Sequence, residues 1–213
     1  MSAVDAPPTP RRLQFRLPGE WYAVDPRDED AARARIRDIA RSIAGPADDA
    51  PMERRRLQSG LEDAAAAARA AAADMLLLCR EVAPGVPTPV ALTVHRPERV
   101  RMTPATGTDP ERVMAVFEKS LRAIDADALE TAARFEIPGS KILRLHAVSP
   151  QVIEEGGETA AQNRLVARYW YTVPDAKELV LVNLATPLGD IPHAMLRFFD
   201  SIVEASHWAY VPE

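Results

Sequence analysis

The chain has one cysteine, Cys79, so it forms no internal disulfide and no cysteine-based zinc cluster. Cys79 lies in the apolar stretch 75–79, which suits a buried inert thiol better than a nucleophile. Lysine is nearly missing as well. Lys119, Lys141 and Lys177 are the only three among 26 basic residues, and the rest are arginine. With abundant alanine and 19 prolines, this is the coding bias of a GC-rich bacterial genome. Aromatic residues make up only 6%, and alanine supplies much of the 47% hydrophobic content, so the core is adequate rather than rich.

The nine glycines are scattered, and only Gly156 and Gly157 are adjacent. No Gly-x-Gly pattern, Walker-type lysine or nucleophile elbow occurs, which removes the usual phosphate-cradling loop and the commonest hydrolase signature. No apolar run approaches membrane-spanning length, and the chain does not open on a charged-then-apolar leader. These absences lead to the expectation of a cytoplasmic protein without membrane insertion. A net charge of −5 and a pI near 5.5 argue against a nucleic-acid partner held by overall charge.

The 213 residues suffice for one generous domain or two small ones. No internal repeat or composition break marks a second domain. The expected organisation is a flexible tail over 1–10, then a single α+β domain over 11–213 with a helical insert at about 28–73. The closing fifty residues organise it. In 163–173, Leu165, Ala167, Tyr169, Tyr171 and Val173 alternate with Arg164, Val166, Arg168, Trp170 and Thr172. A strand there is apolar on one face and carries arginines and an indole on the other. After a turn at Pro174-Asp175, 179–186 is apolar on both faces, as a central strand would be. Asp190 and Pro192 then suit the cap and first turn of a helix to about 206. Ile191, Met195, Phe198, Phe199, Ile202 and Ala205 form its expected buried stripe, with both phenylalanines facing the sheet.

Upstream, 12–17 reads as an edge strand with Leu13, Phe15 and Leu17 on one face, continued by 21–24, where Trp21 is a core anchor. Asp25-Pro26 starts a helix to Ala44 that buries Ala32, Ile36, Ile39, Ala40 and Ile43, and Gly45-Pro46 stops it. Asp48-Asp49 starts a second helix to about 73, with Leu57, Leu61, Ala64, Ala68 and Ala72 inward. Strands over 74–82 and 90–96 pair antiparallel. Asp109-Pro110 opens a helix to Ile124 that buries Val113, Val116, Phe117, Leu121 and Ile124. A hairpin over 133–137 and 141–148 follows. Residues 151–162 then read as an acidic loop or a short strand edge.

The four histidines, His95, His146, His193 and His207, lie far apart, and no His-x-x-x-His spacing supports a metal site. Glu154, Glu155 and Glu158 lack the oxygen spacing of a calcium loop and read as a solvated acidic stretch. Arg54, Arg55 and Arg56 point around more than half of a helix, so they do not make one flat phosphate-binding patch. No catalytic residue, metal or cofactor is expected. Arg164, Arg168 and Trp170 share a strand face and make the candidate binding surface, for a partner protein or an anionic ligand. The plainer alternative is that Trp170 is covered by one of the alanine-rich helices, with arginine stems packed around it.

The order of elements carries a resemblance. Phe15-Arg16-Leu17-Pro18-Gly19-Glu20-Trp21 opens the chain, helix and antiparallel strands follow, and a closing hairpin leads to Phe198-Phe199-Asp200-Ser201-Ile202-Val203 and Trp208. This resembles the PsbP/Mog-type α/β sandwich, in particular uncharacterised actinobacterial proteins of that type. The resemblance implies a central antiparallel sheet flanked by helices and a non-enzymatic role as an interaction, assembly or accessory factor. The expected setting is a secretion or cell-envelope apparatus, with a partner protein and an oligomer of identical chains left open. The alternative is a small-ligand binder or cryptic enzyme with a pocket between the sheet and the helical insert.

Overall fold

The computed structural model describes residues 11–44, 50–97, 100, 102–103, 106–155 and 158–210. The tail 1–10, the stop at Gly45-Pro46, the start at Asp48-Asp49 and the Gly156-Gly157 pair lie outside them. Strand β1 (Arg11–Gln14) stops short of Phe15. β2 (Glu20–Val24) follows, and Trp21 is half-buried against the core, its indole N–H donating to the Pro18 carbonyl at 2.7 Å. Helix α1 (Glu29–Ala44) buries Ala32, Ile36, Ile39 and Ala40. Its cap is Asp28, whose Oδ1 accepts from the Ala31 amide at 3.0 Å, three residues after the expected Asp25. Asp25 instead closes a local turn with Arg27. The Arg27 hydrogen bond holds the Asp25 carboxyl down, at about 2. In α2 (Ala50–Ala70) the inward positions are Ala65 and Ala68, with Leu61 and Ala64 half-buried. Ala72 is exposed at φ 52, beyond the helix end, so the expected stripe runs one turn too far.

β3 (Met75–Ala83) and β4 (Val86–His95) form the expected antiparallel pair. Helix α3 (Pro110–Ile124) starts as anticipated, with the Arg112 amide donating to Asp109 at 3.1 Å. It buries Val113, Met114 and Phe117, whereas Val116 and Ile124 face solvent. β5 (Ala133–Ile137) pairs with β6 (Ser140–Glu155), and β6 with β7 (Glu158–Thr172). Residues 151–155 and 158–162 are thus strand; they form the outer part of a long ribbon, paired from Ile142 and Tyr171 out to Glu155 and Glu158.

β8 (Leu179–Thr186) occupies the middle of a seven-stranded antiparallel sheet of order β2-β3-β4-β8-β7-β6-β5, the central placement its two-sided apolarity predicts. Gly189 then fits where other residues do not: a Cβ there would lie 2.5 Å from the Asn163 carbonyl oxygen, which accepts from the Gly189 amide. Helix α4 (Pro192–Glu204) has Ile191 as N-cap, with no side-chain cap. Asp190 accepts from the Asn163 side-chain amide at 2.6 Å instead, tying the chain to β7. The buried stripe is Met195, Leu196, Phe199, Ile202 and Val203, while Ile191 and Ala205 are exposed. The sequence does not announce β9 (His207–Tyr210), which pairs with β1 in a separate two-stranded sheet.

The architecture is α+β, a central antiparallel sheet flanked by helices, as the sequence indicates. One sheet face, with Leu165, Ala167, Tyr169, Tyr171, Val182 and Leu184, packs on α4 and on Leu13 and Trp208 of the small sheet. The other face is divided. α1 and α2 cover Val24, Leu76 and Leu78 at one side, and α3 covers Leu143 and Leu179 at the other. Among the described residues, no helix is long and apolar enough to cross a membrane.

Only one of the two adjacent phenylalanines points fully down: Phe199 is completely buried and Phe198 half-buried at the flank. Phe199→Ala should cost about 3–5 kcal/mol in urea unfolding, and Phe198→Ala less than about 2 kcal/mol.

Candidate functional site

Between the two helical covers, the divided face of the sheet stays open over β4, β8 and β7. Register sets its chemistry. Thr93 lies opposite Asn183 and Asn183 opposite Arg168, which makes one polar row. Ala91 lies opposite Ala185 and Ala185 opposite Val166, which makes the next row small and apolar. Arg164 and Arg168, four residues apart on β7, project from this same face about 13 Å apart. Both are exposed and neither has an ion pair among the described residues.

Two hollows occupy the gap. One, of about 940 Å³, has Asp74, His95, Arg96, Arg164, Arg168 and Asn183 in its lining. Three guanidinium groups there face one carboxylate, and the Asp74–Arg96 approach is a loose 3.8 Å. The other, of about 790 Å³, lies between the helix pair and the sheet; apolar residues such as Ile39, Ile43, Leu57, Leu61, Ala91 and Ala185 line it, with Glu81 and Arg80 at its edge, the latter paired with Glu20 at 2.8 Å. Arg164 lines both. A pocket between the sheet and the helical insert is therefore present.

Of the three expected binding residues, the structure brings Arg164 and Arg168 to the open strip. Trp170 sits at its covered end, half-buried, with its ring 4.7 Å from that of Phe117. The covering helix is α3 rather than one of the alanine-rich pair. Arg96, His95 and Asn183 join the hollow without having been singled out in the sequence. Asn183 carries a readable signal, the one amide in an otherwise apolar strand. His95 is already engaged: Nδ1 meets the Ala71 carbonyl at 3.1 Å and Nε2 the Thr93 hydroxyl at 2.8 Å. It ties the end of α2 to the sheet.

A second polar cluster lies under α4 on the closed face. Arg144 on β6 donates to Asp200 at 2.5 Å, and the Tyr169 hydroxyl donates to the other Asp200 oxygen at 2.7 Å. Both partners of the ion pair are largely buried, at 13% and 19% side-chain exposure, so the pair fastens α4 to the sheet rather than waiting for a ligand. Burial and the Asp200 charge raise the Tyr169 hydroxyl well above the usual phenol range. Burial likewise pushes the Cys79 thiol up to about 11, away from the thiolate a nucleophile needs. Among the described residues, no group of three or more His, Cys, Asp and Glu could hold a metal ion.

No family model matches the chain, and no curated protein does. Two solved structures are similar in outline. LpqN, described as involved in cell envelope biogenesis of Mycobacterium tuberculosis, is 11% identical over 96% of this chain and 87% of its own, with a TM-score of 0.39. The cyanobacterial PsbP of Synechocystis is 13% identical over 97% of this chain and 96% of its own, with a TM-score of 0.30. One of the two is thus a PsbP, the type the sequence resembles. The likeness is of fold outline and says nothing about activity.

Two outcomes test the closed-face cluster. Asp200→Ala leaves the Arg144 guanidinium buried without its carboxylate and should cost about 3–5 kcal/mol in urea unfolding. His146, beside that pair, has its pKa lowered from 6.5 by burial and then by the Arg144 charge, against weaker raising by Asp200. The unfolded chain then takes up the proton first as pH falls, so stability drops below about 6.5 and levels off under the folded value. Between about pH 7.5 and 5.5, Tm should fall more steeply in the wild type than in His146→Gln.

Proposed function

We propose that the chain is a non-catalytic binding protein that holds an anionic group in the open trench and serves as an accessory to a larger assembly. The observation that carries this reading is the pair Arg164 and Arg168: two guanidinium groups, unneutralised among the described residues, on the floor of a concave strip. Guanidinium groups present planar donor pairs that match carboxylate and phosphate oxygens. A concavity with cations in excess also concentrates counter-charge and speeds encounter. Asn183 beside Arg168 adds an amide that both donates and accepts, which orients a bound group rather than merely attracting it.

The raised Cys79 and Tyr169 pKa values, both from burial, support binding over catalysis. In its finer form, the proposal makes the larger assembly a secretion or cell-envelope apparatus. The chain then presents its ligand to a partner protein there.

Inorganic phosphate and butyrate, each titrated at fixed ionic strength, should raise Tm of the wild type, with the shift shrinking as salt rises. In the double variant Arg164→Gln/Arg168→Gln, which leaves the core untouched, the shift should vanish. A shift that survives in the double variant overturns the reading. Steady-state turnover of a bound compound that one polar substitution abolishes would overturn it too.

A further inference from the structure

The apolar hollow behind Arg164 is not needed to hold a small anion. We infer that the ligand is a single-chain amphiphile with an anionic head: the head rests on Arg164 and the hydrocarbon chain enters the space between α1–α2 and the sheet. This rests on the binding reading above and names its ligand class.

Four observations carry it. The hollow holds about 790 Å³, within the usual range of roughly 300–1,000 Å³ for small-ligand sites. Its floor is kept low by Ala91 and Ala185, paired across β4 and β8. Its roof carries Gly60, where a Cβ would meet nothing within 4 Å. Glycine inside a helix is unfavourable, and no neighbouring backbone or side chain requires it here; what it faces is open space. The one cation common to the apolar hollow and the polar trench is Arg164, so a molecule lying across both has its charge position set.

The shape also excludes a bulkier occupant. Three turns of a partner helix, about 10 Å across and 16 Å long, would need well over about 1,000 Å³. A polymethylene chain fits the volume.

Straight-chain carboxylates from butyrate to hexadecanoate, kept below their micellar concentrations, test this by calorimetric titration of the full chain, with hexadecanol as the uncharged arm. Affinity should rise about three- to fourfold per methylene until the hollow is full. Ala91→Phe should flatten that rise. Gly60→Leu, which adds bulk from the roof, should do the same if Ala91→Phe folds poorly. Arg164→Gln should weaken every acid about tenfold or more and leave hexadecanol unaffected. Butyrate that binds with no gain from longer chains overturns this inference and leaves the anion reading standing. Hexadecanol that binds as well as hexadecanoate removes the anionic head. No binding by any acid overturns both.

Discussion

A seven-stranded sheet is about 29 Å wide, six gaps of roughly 4.8 Å, and a helix with its side chains covers about 10 Å of that. The chain meets this constraint differently on its two faces. On one, α4 and the β1–β9 pair close over fully buried Tyr169, Tyr171, Leu165 and Leu184. On the other, the helix pair sits over β2 and β3 while α3 sits over β6 and β7. What is left between them, β4, β8 and the Arg164–Arg168 part of β7, is central, so the opening lies over strands paired on both sides. A site there is positioned by backbone ladders on both sides rather than by loops.

The charges follow the same division. On the closed face, Arg144 has Asp200 as a partner and Asp200 has Tyr169 as a second donor, as a group taken out of water requires. On the open face, Arg164 and Arg168 keep their heads in water and need no such partner. The same residue type fastens a helix on one side of β6–β7 and lines an open concavity on the other. Burial accounts for the difference: a guanidinium at the closed face is tolerated only with a carboxylate against it, and one at the open face is solvated without one.

Much of this was legible in the sequence because it rests on local period. The alternation from Arg164 to Val173 gave both faces of β7, and the unbroken apolarity of 179–185 gave β8 its central place. The missed features depend on contacts that period does not encode. Ile124 and Val116 fit a helical stripe, yet α3 meets the sheet through Val113, Met114 and Phe117, so its orientation was set by the Phe117–Trp170 contact. Asp190 looks like a cap and instead binds Asn163, a partner 27 residues away. β9 needed β1, nearly two hundred residues earlier, to exist at all. At the site, Arg164 and Arg168 were readable as one face, whereas Arg96 and His95 joined them only through the order β4-β8-β7.

That strand order also explains why a contact site is the chemistry this opening suits. β4 and β7 never pair; β8 holds them apart, with Thr93 and Arg168 each one strand away from Asn183. Polar groups two strands apart are about 10 Å apart, close enough to flank a bound group and too far for direct proton transfer between them. Asn183 in the middle donates and accepts without changing charge. His95, the titratable group nearest that row, is spent holding α2 down. A floor built in this way is suited to the contact role proposed for it, with donors held at fixed spacing by the ladder.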